Sequence, residues 1–173
     1  TAQLTLDPLD LAAQLQTLLA LRGAATGNPS PGCAWTGDLN GVWQLHRHPD
    51  FTGLTDQVVE QAWQYLAAIG FDQARLALHL QRCWPVLSDW DQVVGRHHHP
   101  NAHLSAVVYL SGSDSGDAGV LRIHAPAQPN ELVPGLAAGH GAPIAPGHRF
   151  NQPHWDLTPQ PGLLVLLVQE AMD

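Results

Sequence analysis

The chain has 173 residues, enough for one domain with a single core. Its seven basic residues are all arginines and stand against fifteen acidic ones; the net charge of −8 argues against a nucleic-acid backbone or an anionic membrane as partner, and the absence of lysine removes Schiff-base and P-loop chemistry. Two cysteines, Cys33 and Cys83, are too few for a disulfide framework, and with no apolar run of spanning length and no basic-then-apolar start the expected location is cytoplasmic.

Asp7-Pro8 reads as an N-cap and first helical residue. Leu11, Leu15, Leu18 and Leu19 follow at helical spacing, and Gly23 is the expected stop. This helix is expected to pack its leucines against the outside of a sheet. A loop rich in Gly, Pro, Asn and Ser follows from Gly23 to Gly32, then short extended pieces around Trp35, Val42, Trp43 and Leu45. Thr55 is the expected cap of a second helix with Val59, Ala62, Trp63 and Leu66 inward and Gly70 at its end. Arg75 to Trp84 alternates Leu76, Leu78 and Leu80 on one face and places His79 on the other, the pattern of a strand.

The chemistry concentrates between Arg96 and His124, which hold five of the eleven histidines. In an extended segment His97 and His99 point together and His98 points away. Two such imidazoles form the first half of a facial metal site of the non-haem iron kind; a histidine run can also be a solvated surface patch. Pro100 ends the short strand. His103 to Leu110 is the next strand, with His103, Ser105, Val107 and Tyr109 on one face. The stretch from Ser111 to Gly119 is turn and loop chemistry, and Val120 to His124 resumes as a strand, so the histidines are expected on a β-ribbon. His46 and His48 are an internal rival, also an H-x-H before a proline, but they lead into a loop and a helix.

Ala125 to Gly147 reads as a long irregular connection of the type that becomes an active-site lid, carrying His140. His148 to Asp156 is a candidate strand. Leu163 to Val168 is a continuous apolar run, expected as a strand buried on both faces. Two helices followed by short strands with turn-rich connections predict a mainly β chain. The expected fold is one domain, with a helical part over 1–70 and an antiparallel double-sheet barrel over 71–173, a jelly-roll or double-stranded β-helix.

The run Trp84 to Pro126 resembles the core of an iron(II)- and 2-oxoglutarate-dependent oxygenase family. The resemblance rests on Trp84, His97-x-His99-Pro100, Leu104-Ser105, Tyr109-Leu110, Gly119 and Leu121 to Pro126. Upstream, CAWTGDLNG from Cys33 resembles the family's G-W-x-T-x-x-L segment, and Pro161-Gly162-Leu163 its P-x-G-x-L strand entry. Two departures stand out. Ala106 replaces a glycine, and the family's distal histidine and 2-oxoglutarate arginine would follow Asp173, so that the sequence is either cut short or without both groups.

The resemblance implies a jelly-roll oxygenase with Fe(II) as metal, 2-oxoglutarate as co-substrate, and a small molecule or peptide as substrate. It implies His97 and His99 as metal ligands and Tyr109 as the hydroxyl that binds the far carboxylate of 2-oxoglutarate. Arg122 and Arg149 are the available cationic partners for that carboxylate. The third ligand stays open among His103, His154, Asp156 and a residue past Asp173. Two other readings remain: a cupin-like metalloprotein without 2-oxoglutarate dependence, and a non-catalytic β-barrel binding module with a degenerate metal site.

Overall fold

The first helix begins where Asp7-Pro8 places it. In the computed structural model of the chain, which describes residues 1–27, 30–113, 119–125, 147–148 and 152–168, α1 spans Pro8–Ala24. Asp7 Oδ1 accepts from the backbone N–H of Leu9 at 2.8 Å and of Asp10 at 3.2 Å, satisfying two of the donors a helix start leaves open. The helix runs through Gly23 rather than stopping there, because the Ala25 N–H still reaches the Leu21 carbonyl. Leu18 is buried, whereas Leu19 is 61% exposed, contrary to expectation. Gln14 takes the remaining place on the inward stripe and donates to the Asp50 carbonyl at 2.9 Å.

The second helix, α2, spans Thr52–Ala68 and starts ahead of Thr55. A 3-10 turn over Pro49–Phe51 leads straight into it, and Thr55 Oγ1 bonds back to the Phe51 carbonyl inside the helix instead of capping it. Its end is a Schellman motif. Gly70, at φ 95°, donates to Ala67 O, and Phe71 donates to Leu66 O. The expected strand from Arg75 to Trp84 is not formed. A 3-10 turn occupies Gln73–Arg75, residues 76–82 pair with no strand among the described residues, and Leu76 and Leu80 are exposed. Alternation needs a ladder partner, and pairing begins only at Cys83, which bridges Gln44.

Contacts divide the chain into two compact units. In the first (Thr1–Ser111 with Pro161–Asp173), a three-stranded antiparallel sheet has the order β1 (Ala2–Gln3), β7 (Leu163–Val168), β4 (Leu104–Val108). The apolar run is thus the central strand. Neighbouring Leu164 and Val165 point to opposite faces and are exposed by only 0% and 2%, so both faces are covered there. A second pair joins β2 (Trp35–Thr36) to β3 (Val86–Leu87). Leu18, Leu45 and Phe51 form a buried cluster against which Cys83, Leu87 and Leu110 pack.

The second unit, Gly112–Gln160, holds the antiparallel ribbon of β5 (Leu121–His124) and β6 (His154–Leu157). Of the strand expected over His148 to Asp156, β6 is the described part. The expected ribbon of β4 with β5 is not formed, since β4 pairs with β7 and β5 with β6. The chain is mainly sheet by element count, and its described strands close no barrel. Most of the expected irregular connection, 126–146, lies outside the described residues. Cys33 and Cys83 are not joined in a disulfide. No described helix is long and apolar enough to cross a membrane.

Gly162 links all three strands of the main sheet. It donates to Tyr109 O and accepts from Leu4 N–H, both at 2.8 Å, with φ at 84°. A Cβ there would lie 2.6 Å from Leu4 O and run into the Gln3 amide. Gly162→Ala is expected to cost about 1–3 kcal/mol in urea unfolding. Gly23→Ala, in open space inside α1, is expected to stabilise by roughly 0.5–1 kcal/mol.

Candidate metal centre

The histidine run lies between two anchors. On the entry side Val93 accepts from Ala34 N–H at 3.0 Å and donates to Gly32 O at 2.9 Å. Arg22, in the last turn of α1, forms a two-pronged ion pair with Asp89 just upstream. On the exit side the Ala102 N–H closes a turn on His99 O at 3.1 Å and leads into β4. Between the anchors, residues 94–101 belong to no strand, so the short strand expected around His97 is absent.

The two rings nevertheless come together. His97 and His99 have ring centroids 4.9 Å apart and planes at 85°. Two imidazoles bound to one ion at about 2.1 Å, at angles from a right angle to tetrahedral, place their centroids about 4.6–5.3 Å apart. His97 Nδ1 lies 2.8 Å from Gly95 O. A carbonyl can only accept, so Nδ1 carries the hydrogen and Nε2 holds the lone pair that a metal takes. His98 is exposed.

His99 is partly buried, with the Trp84 ring at 5.6 Å and tilted 62°. Burial lowers its pKa, the charges of His97 and His98 lower it further, and Asp38 opposes them. The ring is therefore held neutral, the form that coordinates. Trp84 is fixed from behind: its neighbour Cys83 donates to Trp43 O at 2.8 Å, accepts from Leu45 N–H at 2.9 Å and packs on the Leu18–Leu45–Phe51 cluster. Leu110 packs on the same cluster, so the neighbours of Trp84 and of Tyr109 share one support. Burial raises the Tyr109 pKa, which keeps its hydroxyl protonated and able to donate.

Other sequence candidates have local tasks. Arg122 donates through Nε and Nη2 to the two carboxylate oxygens of Asp156, both at 2.8 Å, and this bond lowers the Asp156 pKa. The fork expected to meet 2-oxoglutarate is already engaged. His154 Nε2 lies 4.0 Å from the same carboxylate. His103 is exposed at the entry to β4, and Arg149 and His140 lie outside the described residues. His48 Nδ1 accepts from Asp50 N–H at 3.3 Å at the start of a 3-10 turn. His46 Nδ1 is buried without a hydrogen-bond partner, and burial lowers that ring's pKa, as in a packing histidine. Among the described residues no three His, Cys, Asp or Glu side chains are grouped to hold a metal ion.

Sequence reasoning missed the roles of Asp38 and of the Trp84 ring. They lie far apart in the chain, and the β2–β3 pairing brings their segments together, continuing with Gly37 N–H donating to Pro85 O at 2.8 Å. Both belong to segments that carry the family resemblance, and that was the available signal.

His97 and His99 stand ring to ring in a segment between the β2–β3 pair and β4. A family model described as "Putative 2OG-Fe(II) oxygenase" matches residues 82–169, half of the chain, and takes in Trp84, His97, His99, Tyr109 and β4 to β7. The chain belongs to this oxygenase family, which implies Fe(II) and 2-oxoglutarate as cofactors and a small-molecule or peptide substrate. No curated protein and no solved structure matches the chain.

His99 is expected to titrate below the ordinary histidine value of 6.5 when its ring signals are followed by NMR. Asp38→Asn should lower the midpoint further, and Trp84→Ala, by exposing the ring, should raise it. The folded state holds this proton less readily than the unfolded chain. The contribution to stability is therefore complete above the ordinary value and lost as pH falls through the lowered one.

Proposed function

We propose that the chain is an oxygenase that hydroxylates a small molecule or a peptide side chain, using Fe(II), 2-oxoglutarate and O2. The observation that carries the reading is the His97–His99 pair, with rings 4.9 Å apart and the His97 Nδ1 hydrogen directed to Gly95 O. Both side chains suit Fe(II), and two protein ligands on one side leave adjacent positions for a chelating 2-oxo acid and for dioxygen. Iron, when bound, supplies the oxygen chemistry; the chain supplies orientation, shielding and charge. Gly95 fixes the His97 tautomer, and Trp84 shields His99 from water.

Tyr109 donates its hydroxyl to the far carboxylate of 2-oxoglutarate, because a buried carboxylate without a donor costs several kcal/mol, on the order of 3–5. Arg122 stays with Asp156, and the role first divided between the two residues falls to Tyr109. The described residues do not assign the third ligand; the end of β7 lies beside the start of β4, since Val168 is the cross-strand partner of Leu104 in the strand that begins just after the histidine run. A jelly-roll scaffold is the one consistent with this oxygenase family. The net charge of −8 fits a substrate that is not a polyanion.

The test is anaerobic loading of the longest natural form with Fe(II), followed by titration with 2-oxoglutarate and observation of the visible charge-transfer band of the chelate. His97→Ala and His99→Ala should each abolish stoichiometric iron binding, and His98→Ala should leave it intact. Tyr109→Phe should weaken 2-oxoglutarate by about 1–3 kcal/mol, the range for a hydrogen bond to a charged group, with iron affinity unchanged. Stoichiometric iron without the band would replace this reading with a cupin-like metalloprotein. No stoichiometric iron at all would leave a binding module.

A further inference from the structure

The β5–β6 ribbon sorts its side chains by chemistry. Register pairs Leu121 with Leu157, Arg122 with Asp156, Ile123 with Trp155 and His124 with His154. Alternation then places Leu121, Ile123, Trp155 and Leu157 on one face. The other face carries two rungs: the Arg122–Asp156 ion pair and, directly beside it, two histidines whose ring centroids are 6.2 Å apart at 51°. Neither histidine is used by the iron site proposed above.

We propose that His124 and His154 form a two-imidazole clip for a zinc-type divalent ion, separate from the His97–His99 centre. Side chains directly opposite on antiparallel strands are the closest cross-strand neighbours, so both rings reach one point without backbone movement. A tetrahedral ion at about 2.1 Å from each nitrogen needs centroids about 5 Å apart, roughly 1 Å closer than they stand. Rotation of two side chains at the ribbon surface supplies that closure, since His124 is exposed and the His154 side chain keeps 35% of its accessibility. The neighbouring rung holds the strands in register. The Asp156 carboxylate, 4.0 Å from His154 Nε2, puts negative charge beside the clip. Imidazole is a ligand of choice for zinc, whose filled d shell sets no geometry and accepts water in the remaining positions. Because the ligands lie on different strands, the ion would cross-link β5 to β6.

The experiment uses the full chain carrying His97→Ala and His99→Ala, which removes the other pair, with Zn2+ alone as probe and NMR of the histidine rings as readout. The rings of His124 and His154 should shift along one shared curve that saturates at one equivalent. In His124→Gln the response of His154 should weaken by about tenfold or more, because a single imidazole binds far less tightly than two. His154→Gln should do the same to His124, which guards against one variant disturbing the ribbon. Separate midpoints for the two rings, no shift at either, or an unchanged response after removal of the partner would each overturn the clip. None of these outcomes bears on whether the chain uses iron and 2-oxoglutarate.

Discussion

The first unit depends on the backbone ladder of β7. A six-residue apolar strand with unpaired edges would template aggregation, and one with uncovered faces would leave its leucines and valines in water. Here β4 covers one edge along five register pairs and β1 the other along two. Gly162 carries the hydrogen bonding past the end of the strand to both neighbours. At φ 84° it adopts a conformation open to glycine at little cost, so one small residue ties the N-terminal strand to Tyr109. Placement of Tyr109 is thus a property of the sheet before it is a property of any site.

The histidine pair has a different kind of support. No ladder holds it, and its geometry is borrowed from the ends of its segment and from the Trp84 ring. Trp84 in turn is held through Cys83 by the cluster that joins α1 to the 3-10 turns before α2. Burial acts on His99 through this packing and lowers its pKa, so the same contacts that stabilise the fold bias the charge of the ring.

Elements whose signals are local were legible in the sequence. Asp7-Pro8 announced the start of α1, Gly70 the end of α2, and the unbroken apolar run the central strand. Elements whose outcome depends on a distant partner were not. Leu76, Leu78 and Leu80 alternate as a strand does, yet the described structure pairs nothing with them. The partners of β4 and β5 were misassigned because alternation fixes which face a residue takes, not which strand lies beside it. His97 and His99 bring their rings together without the short strand expected for them, and His97 stays exposed. Asp38 acting on His99 and Arg122 engaged with Asp156 required the fold, because each joins residues far apart in the chain, the second through the β5–β6 register.

The run from Val94 to Asn101 has no ladder of its own, and this has a consequence for affinity. Any ligand that binds both imidazoles must also stop the segment from sampling other conformations. Each backbone residue ordered in this way costs roughly 1–2 kcal/mol of conformational entropy. Preorganisation therefore becomes a property of the residues between the anchors. At Gly95, where a side chain would meet open space, stiffening the chain would tune how tightly the pair holds its ligand without altering a single donor atom.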